Sequence, residues 1–375
     1  MDLSIILTYR CDSKCSMCYI WKYPTKPDEE ISKEILEKLP DNFDNLNVTG
    51  GEPTLRKDLP EIIDILYPKA KITEISTNGL HTDKILPIVK KYPNIKVRYS
   101  LEAIGKKNDL IRGEENGFEE KLKGLKLLKE AGGKDLGFAT VIQDDNVNEI
   151  MDIYNLCREI GVEMATSTLH NAFQFHKNDN YFYERIKVAK EVEKLIEAML
   201  KTNSVKNWFR AYLNLGLIEK ILGHERLIPC TAATDFIFID PWSNVYACNV
   251  RPDLFMGNLE KQSWDEIVYG KKATEIRKKV AECSQNCWMV TTARTAMRNP
   301  KLTFLPKSGP LKWVIVNKLK SLLGKKICFE RYIDYNIIEK SNNQKKREYF
   351  LGIPVKRNIQ SKSDQHYSMG DFFNK

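Results

Sequence analysis

The stretch CDSKCSMC at residues 11–18 decides how the rest of the chain is interpreted. Its three cysteines have the spacing C-x3-C-x2-C, and they directly follow a short apolar run, Leu3 to Tyr9, that is typical of a β-strand. So tight a spacing lets one loop bring three thiolates to a single metal centre. A cubic iron–sulfur cluster normally has four cysteine ligands, so three would leave one iron open for chemistry.

A second motif, GGEP at residues 50–53, follows the second apolar run. The two motifs together resemble those of the radical S-adenosylmethionine (SAM) family. In that family, the open iron of a [4Fe–4S] cluster binds SAM, and an injected electron cleaves SAM to a 5′-deoxyadenosyl radical that abstracts hydrogen from the substrate. The resemblance implies that Cys11, Cys15 and Cys18 hold this cluster. The alternative is a structural zinc knuckle, but no local Cys or His supplies the fourth ligand that zinc needs.

Alternating strand and helix patterns run from residue 1 to about residue 200. Six β-rich apolar runs predict strands at residues 3–9, 46–49, 72–76, 97–101, 136–142 and 162–168. Helical patterns lie between them at residues 33–39, 59–66, 84–91, 119–131 and 148–160. This order predicts a parallel sheet with right-handed crossovers. The resembled family has an α/β fold with a partial (β/α)6 TIM-like barrel, which we therefore predict for residues 1–205.

Polar residues follow the predicted strand ends, where parallel barrels place their active sites. In the resembled family, the GGEP segment binds the SAM amino group, and residues after later strands contact its ribose and carboxylate. An ordinary Asn-Gly turn is the alternative for the residues after the third strand. His170 faces the same end, but no acid–base partner can be named for it, so the catalytic residues stay unassigned. The SAM contacts implied by the resemblance are Gly50, Gly51, Glu52, Pro53, Ser76, Asn78, Ser100, Glu102, Arg112 and Gln143.

A second cysteine group lies in residues 206–300. A predicted hairpin of strands 236–239 and 245–247 separates the first two cysteines, and a helix leads to a C-x3-C pair. Four thiolates can fully ligate one [4Fe–4S] cluster, and the pattern resembles the auxiliary-cluster extensions called SPASM and twitch. A four-thiolate zinc site is the alternative. No cysteine lies between 287 and 328, so we predict a single, twitch-like auxiliary cluster. Its predicted ligands are Cys230, Cys248, Cys283 and Cys287.

The net charge of +9 is concentrated in residues 301–375, which hold 16 Lys+Arg and 6 Asp+Glu. The other 300 residues are nearly neutral, which argues against a nucleic-acid enzyme. A helical pattern at 311–324 places apolar residues beside lysines and Trp313. It predicts either an interfacial helix on an anionic membrane or a helix that caps the barrel. The Lys-rich runs at 340–347 and 356–364 are predicted to be mobile, and Cys328 stays unassigned.

The sequence excludes a secretory signal and a spanning helix, because no basic-then-apolar N-terminal pattern and no run of eighteen apolar residues occurs. Nine cysteines at metal-like spacings predict a reducing cytoplasm, with the inner membrane face as a further location for the tail. Cys157 lies in a helical pattern and is predicted to be a buried small residue.

The resemblance predicts an enzyme, oxidoreductase-like and dependent on SAM, with ferredoxin or flavodoxin as electron donor. The segment CSMCYIW at residues 15–21 resembles the corresponding segment of the subgroup found with sugar, aminocyclitol and surface-polysaccharide biosynthesis. We therefore predict dehydrogenation, epimerisation or a related modification of a sugar, aminocyclitol or nucleotide-linked saccharide. The first alternative is a maturase of a ribosomally made peptide, although such enzymes often carry an N-terminal peptide-binding domain and this sequence starts at the first strand. The alternative from another class is a non-catalytic metal or electron-carrier protein.

Overall fold

The central feature of the computed structural model is a nine-stranded sheet; the structure describes residues 1–285, 287–305, 309–327, 329, 349–350 and 353–354. Six strands pair in parallel and in chain order, as the sequence predicts. The family's partial barrel is built from such strands. These strands are β1 Asp2–Ile6, β2 Asn45–Thr49, β3 Thr73–Thr77, β4 Lys96–Ser100, β5 Asp135–Ile142 and β6 Glu163–Thr168.

Helices follow the strands of this parallel sheet and bury one of its faces. Alternate strand residues such as Leu3, Ile75 and Val97 lie in the main hydrophobic core together with helix residues, as the two-residue period of a strand requires. The sequence missed the short helix after β4, which carries Arg112. The helices of this part are α1 Lys33–Glu37, α2 Leu59–Leu66, α3 Thr82–Lys91, α4 Lys106–Arg112, α5 Gly117–Glu130 and α6 Ile150–Glu159.

The second cysteine region continues the same sheet, which the sequence did not predict. Strand β7, Phe236–Ile239, pairs in parallel with β1, and the antiparallel strands β8, Asn244–Tyr246, and β9, Phe255–Asn258, extend the sheet from it. The predicted hairpin is therefore present and lies beside the first barrel strand. This pairing fixes the second cysteine group against the barrel.

The remaining helices surround this junction. Arg210 of α8 pairs with Glu163 at the start of β6, and Lys220 bonds Thr168 at its end, so α8 runs along the last barrel strand. On α11, Arg298 bonds Asp2 at the start of β1, 2.6 Å away. These helices are α7 Arg185–Lys201, α8 Val205–Leu222, α9 Trp264–Tyr269, α10 Lys271–Ala281, α11 Val290–Arg298, α12 Pro300–Thr303 and α13 Pro310–Leu322.

Helix α13 packs against α7 and α8. Trp313 is buried in an edge contact with Tyr212, and Lys318 donates hydrogen bonds to the carbonyls of Leu200 and Thr202 at 2.9 and 2.8 Å. Only part of the apolar face predicted from the sequence is therefore buried, because Leu319 and other apolar residues on the opposite side of α13 are exposed. No described helix is long and apolar enough to cross a membrane.

The last described residues form a two-residue antiparallel pairing of β10, Tyr349–Phe350, with β11, Ile353–Pro354. Cys328 and the Lys-rich runs at 340–347 and 356–364 lie outside the described residues.

Candidate active site

The loop with the first three cysteines is held over the carboxyl ends of the barrel strands by side chains from neighbouring loops. The Asn78 amide donates hydrogen bonds to Asp12 and to Ser13, at 2.7 and 3.0 Å. His81 contacts the second Asp12 oxygen at 2.6 Å, and Ser13 donates to Glu114 at 2.6 Å. The sequence predicted Asn78 for this site, but it did not predict the anchoring roles of His81 and Glu114.

The glycines of the GGEP turn permit close packing against the segment that connects β1 to Cys11. Gly51 N–H donates to the Thr8 carbonyl at 2.6 Å, and Glu52 N–H donates to the Arg10 carbonyl at 2.8 Å. A Cβ atom on Gly51 would lie only 2.4 Å from the Arg10 carbonyl oxygen. The turn after β2 and the cysteine loop are therefore positioned by each other.

The Glu52 side chain braces this turn against the end of β3. Its buried carboxylate accepts hydrogen bonds from Thr54 N–H and hydroxyl, from the Thr77 hydroxyl and from Asn78 N–H, at 2.6 to 3.0 Å. Burial raises the pKa of Glu52, and these donors oppose the shift. The carboxylate is engaged by protein donors on both oxygens, and the backbone of Gly50 to Pro53 forms the rest of the turn.

Glu102 and Arg112, both predicted SAM contacts, form a buried ion pair at the end of β4, with Nη1 and Oε1 3.0 Å apart. The other Glu102 oxygen accepts from Val141 N–H at 2.7 Å, and Arg112 Nε donates to Glu114 at 2.8 Å. Burial raises the pKa of Glu102, and the Arg112 charge opposes this shift. Burial also raises the pKa of Cys15, and the nearby Arg112 charge opposes that shift.

The other predicted SAM contacts lie at the same end of the sheet. The Ser76 hydroxyl donates to the Asn47 side chain at 2.9 Å, and the Ser100 hydroxyl donates to the Thr77 carbonyl at 3.3 Å. Gln143 is buried, and its Nε2 has no hydrogen-bond partner among the described residues. The structure therefore brings the predicted set together, with Gln143 offering an unused donor.

The three thiols of the loop are free and partly buried. Burial raises the pKa of Cys18 to about 12 and raises the pKa of Cys11 further. The charge of a Cys15 thiolate also raises both of these pKa values. Cys11 and Cys18 pack against a group of aromatic side chains that includes Tyr9 and Tyr246. No described group of three or more His, Cys, Asp or Glu residues is close enough together to hold a single metal ion. Cys15 does lie within electrostatic range of both Cys11 and Cys18, and a cubic iron–sulfur cluster takes such thiolates as ligands.

The loop after β6 adds polar groups of which the sequence had indicated only His170. His170, Asn171, Gln174 and His176 each have one buried side-chain nitrogen or oxygen without a partner in the described part of the chain. Burial and the nearby charge of Lys220 lower the pKa of His170 to about 3, so its imidazole is neutral at pH 7. No sequence motif marks these residues; only their position after the sixth strand could have indicated them.

The second cysteine group surrounds a cavity of about 390 Å³, which all four of its thiols line together with Arg226 and Arg251. Arg226 lies 3.6 Å from the Cys287 sulfur, and Arg251 hydrogen-bonds Cys283. The two guanidinium groups place positive charge where a thiolate-ligated cluster carries negative charge. The donor set and the space therefore fit the predicted auxiliary cluster, held by Cys230, Cys248, Cys283 and Cys287.

Comparison with known families assigns both cysteine regions. The radical SAM superfamily model matches residues 5–157, and the model of the SPASM iron–sulfur cluster-binding domain matches residues 230–288. The chain contains a radical SAM domain and a SPASM domain. Members of the radical SAM superfamily are SAM-dependent enzymes. The two domains imply a SAM-binding [4Fe–4S] cluster, an auxiliary iron–sulfur cluster and SAM itself.

Curated relatives of this radical SAM protein differ in their named roles. The chain is 34% identical over 161 residues to Fe-coproporphyrin III synthase of Methanosarcina barkeri, covering 41% of this chain and 40% of that protein. It is 28% identical over 272 residues to the antilisterial bacteriocin subtilosin biosynthesis protein AlbA of Bacillus subtilis, covering 70% and 58%. The chain thus spans about half the length of these relatives.

A solved structure shares the fold. SAM-bound SuiB of Streptococcus suis superposes with a TM-score of 0.55 at 18% identity, over 74% of this chain and 67% of SuiB. At this identity the likeness shows the fold: a parallel radical SAM barrel.

Proposed function

We propose that this protein cleaves SAM reductively, with an electron from ferredoxin or flavodoxin, and abstracts a hydrogen atom from a ribosomally made peptide. Cys11, Cys15 and Cys18 would hold the first cluster, which would supply the one electron that cleaves SAM to methionine and a 5′-deoxyadenosyl radical. That radical would take a hydrogen atom from a substrate C–H bond, which gives 5′-deoxyadenosine and leaves a carbon radical on the substrate. The observation that carries the substrate class is the similarity to AlbA over 272 residues, which cover 70% of this chain. SuiB, of the same fold, is also solved with its precursor peptide SuiA.

Some residues at the active-site end of the barrel would bind the cluster and SAM, and others would exclude water. Cys11, Cys15 and Cys18 would hold the first cluster, and the backbone of Gly50 to Pro53 would face the SAM amino group. The Glu102–Arg112 pair places one negative and one positive group where the ribose hydroxyls and the methionine carboxylate are expected. Aromatic side chains packed beside Cys11 and Cys18 would keep water from a carbon radical.

Cys230, Cys248, Cys283 and Cys287 would hold the second cluster, which would supply a one-electron acceptor. A substrate that gives one hydrogen atom to the 5′-deoxyadenosyl radical, and then one electron to this acceptor and one proton to solvent, would be oxidised by two electrons overall. All four thiols around the 390 Å³ cavity would be used as ligands, so no iron remains for substrate binding.

A saccharide is the second candidate substrate, which the sequence alone favoured and the relatives support less. Its specific support is the loop after β6, where buried amide and imidazole groups each have one nitrogen or oxygen without a partner among the described residues. Several such groups beside aromatic rings suit a ligand with many hydroxyl groups.

One experiment tests the activity and separates the two substrate classes. Cells are grown in D₂O, and their extract is divided into a peptide fraction and a small-molecule fraction. Each fraction is incubated in H₂O buffer with reconstituted protein, SAM and dithionite, and deuterium in 5′-deoxyadenosine is measured by mass spectrometry. Deuterium transfer from the peptide fraction alone supports the proposal, and transfer from the small-molecule fraction alone supports the saccharide. If the wild type forms no more 5′-deoxyadenosine than Cys11→Ala, the proposed activity is wrong.

Peripheral membrane contact through α13 is a separate part of the proposal. Ile315, Leu319 and Leu322 are half or more exposed on the side of α13 that faces away from α7 and α8. Lysines flank this side, and exposed apolar residues beside lysines suit an anionic bilayer surface. Because α13 packs on the barrel domain, a Leu319→Glu/Leu322→Glu variant is a cleaner test than truncation. The wild type should pellet with anionic liposomes at low salt and the variant should not; no pelleting by the wild type would end the idea.

A further inference from the structure

A second large cavity, of about 510 Å³, lies at the opposite end of the barrel from the cysteine loop. Glu74 and Lys96, which stand at or near the amino ends of β3 and β4, line it on one side. The start of α8 and the length of α11 close it on the other side. Neither iron–sulfur site reaches this cavity, so the chemistry proposed above leaves it unexplained.

The walls of the cavity carry an excess of positive charge. Four carboxylates lie at or beside it: Glu74 lines it, while Asp2, Asp135 and Glu163 pair with the lining cations. Six cations against four carboxylates leave a local charge of about +2 at neutral pH. The six lining cations are Lys96, Arg98, Lys206, Arg210, Arg294 and Arg298.

Two of these cations have donors for which no described residue provides an acceptor. Arg294 Nε is buried without a hydrogen-bond partner among the described residues. The closest carboxylate oxygen to Lys96 Nζ is that of Asp135, 3.8 Å away, too far for a hydrogen bond. Burial lowers the pKa of Lys96. An anion between these donors would offset the cost of burying them.

The cavity has a charged entrance and an apolar wall. The side chains of Lys206 and Arg298 are 45% and 44% exposed, whereas that of Arg98 is 4% exposed. An entering anion would therefore pass two exposed cations before it reached the buried ones. Phe209 and Met297 contribute apolar surface to the same space.

We propose that this cavity binds a phosphate monoester that carries an aromatic or apolar group. A dianionic phosphate matches the local charge of +2, and the guanidinium groups match its oxygen geometry. The apolar part of the ligand would lie against Phe209 and Met297. Since the cavity is at the far end of the barrel, the ligand is distinct from SAM and from the substrate of the radical reaction.

Calorimetric titration of the full-length, cluster-loaded protein tests this site, with phenyl phosphate as the probe and benzyl alcohol as its uncharged counterpart. We expect phenyl phosphate to bind at least tenfold more tightly than inorganic phosphate, and benzyl alcohol not to bind. Lys96→Met should weaken phenyl phosphate at least tenfold. Lys126→Met removes an equal charge from the exposed face of α5 and should leave the affinity unchanged.

Two further measurements keep the test decisive. Lys96→Met should form 5′-deoxyadenosine at the wild-type rate, because Lys96 is remote from the cysteine loop. If Lys96→Met fails to fold, Arg294→Lys replaces it; this variant keeps the charge, loses Nε, and should weaken binding several-fold. The proposal is overturned if phenyl phosphate does not bind, if inorganic phosphate binds equally well, or if Lys126→Met weakens binding as much as the cavity variants do.

Discussion

The contact between Gly51 and the segment that connects β1 to Cys11 gives the sharpest test of the active-site geometry. In Gly51→Ala, the new Cβ would lie 2.4 Å from the Arg10 carbonyl oxygen and 2.8 Å from the Tyr9 carbonyl oxygen. Ordinary contact begins near 3.4 Å, so the two segments must separate by about 1 Å. The obstacle is backbone, which cannot rotate away as a side chain can.

We expect two effects from this separation. Overpacking of this kind costs about 1–3 kcal/mol of unfolding free energy. Arg10 adjoins Cys11, so the loop that holds the first cluster would shift, and a misplacement of ~1 Å can lower the rate of a reaction about 100-fold. Initial rates of 5′-deoxyadenosine formation, with SAM and dithionite and normalised to iron content, measure the second effect.

Gly132→Ala is the control for this substitution. Gly132 has a φ of +94° and no atom within 4 Å of an added Cβ, so the variant has the backbone cost of a left-handed residue, about 1–2 kcal/mol, without touching the loop. We expect this variant to have a lower melting temperature than the wild type and to form 5′-deoxyadenosine at the wild-type rate. A wild-type rate in Gly51→Ala would show that the reasoning about the turn is wrong.

Three further predictions concern the second domain. Cys230→Ala should lower the iron content from about eight to about four atoms per chain and still permit 5′-deoxyadenosine formation, because the first cluster keeps its ligands. Trp288→Ala should lower the free energy of unfolding by about 3–5 kcal/mol, because the indole is 2% exposed and donates to the Leu213 carbonyl at 2.8 Å. Thermal melting measures this loss of stability. Asp240→Asn should become more stable relative to wild type as pH rises from 4 to 6.5. Burial raises the pKa of Asp240 from 3.8 to about 6, so the folded state binds a proton more tightly and the wild type loses up to about 3 kcal/mol.

Each of these predictions has its own contrary result. Unchanged iron content in Cys230→Ala would remove that cysteine from the ligand set, with Cys157→Ala as the control that should keep all the iron. Trp288→Phe should cost less than Trp288→Ala, and equal losses would mean that burial of the ring is not the cause. For Asp240, the difference between the melting temperatures of variant and wild type should change by about 2–4 °C between pH 4 and pH 6.5, and the same difference at both pH values would contradict the prediction.

The sequence by itself determined the barrel strands and both cysteine groups. Strand and helix patterns repeat locally, and the cysteine spacings are local too, so residues such as Cys11 and Cys230 could be identified without any tertiary contact. The sequence did not determine the substrate class: CSMCYIW favoured saccharides, whereas the proposed peptide substrate rests on the similarity to AlbA. A motif that holds a cofactor says little about the cavity that receives the substrate.

Only the tertiary structure decided what lies between these local elements. Pairing of β7 with β1, the bonds from His81 and Glu114 to the cysteine loop, and the cavity lined by Lys96 and Arg294 all join residues far apart in the chain. Such contacts leave no periodic signal in a single sequence, because each partner alone resembles an ordinary surface or strand residue. They form only when the parallel sheet brings its strand ends together.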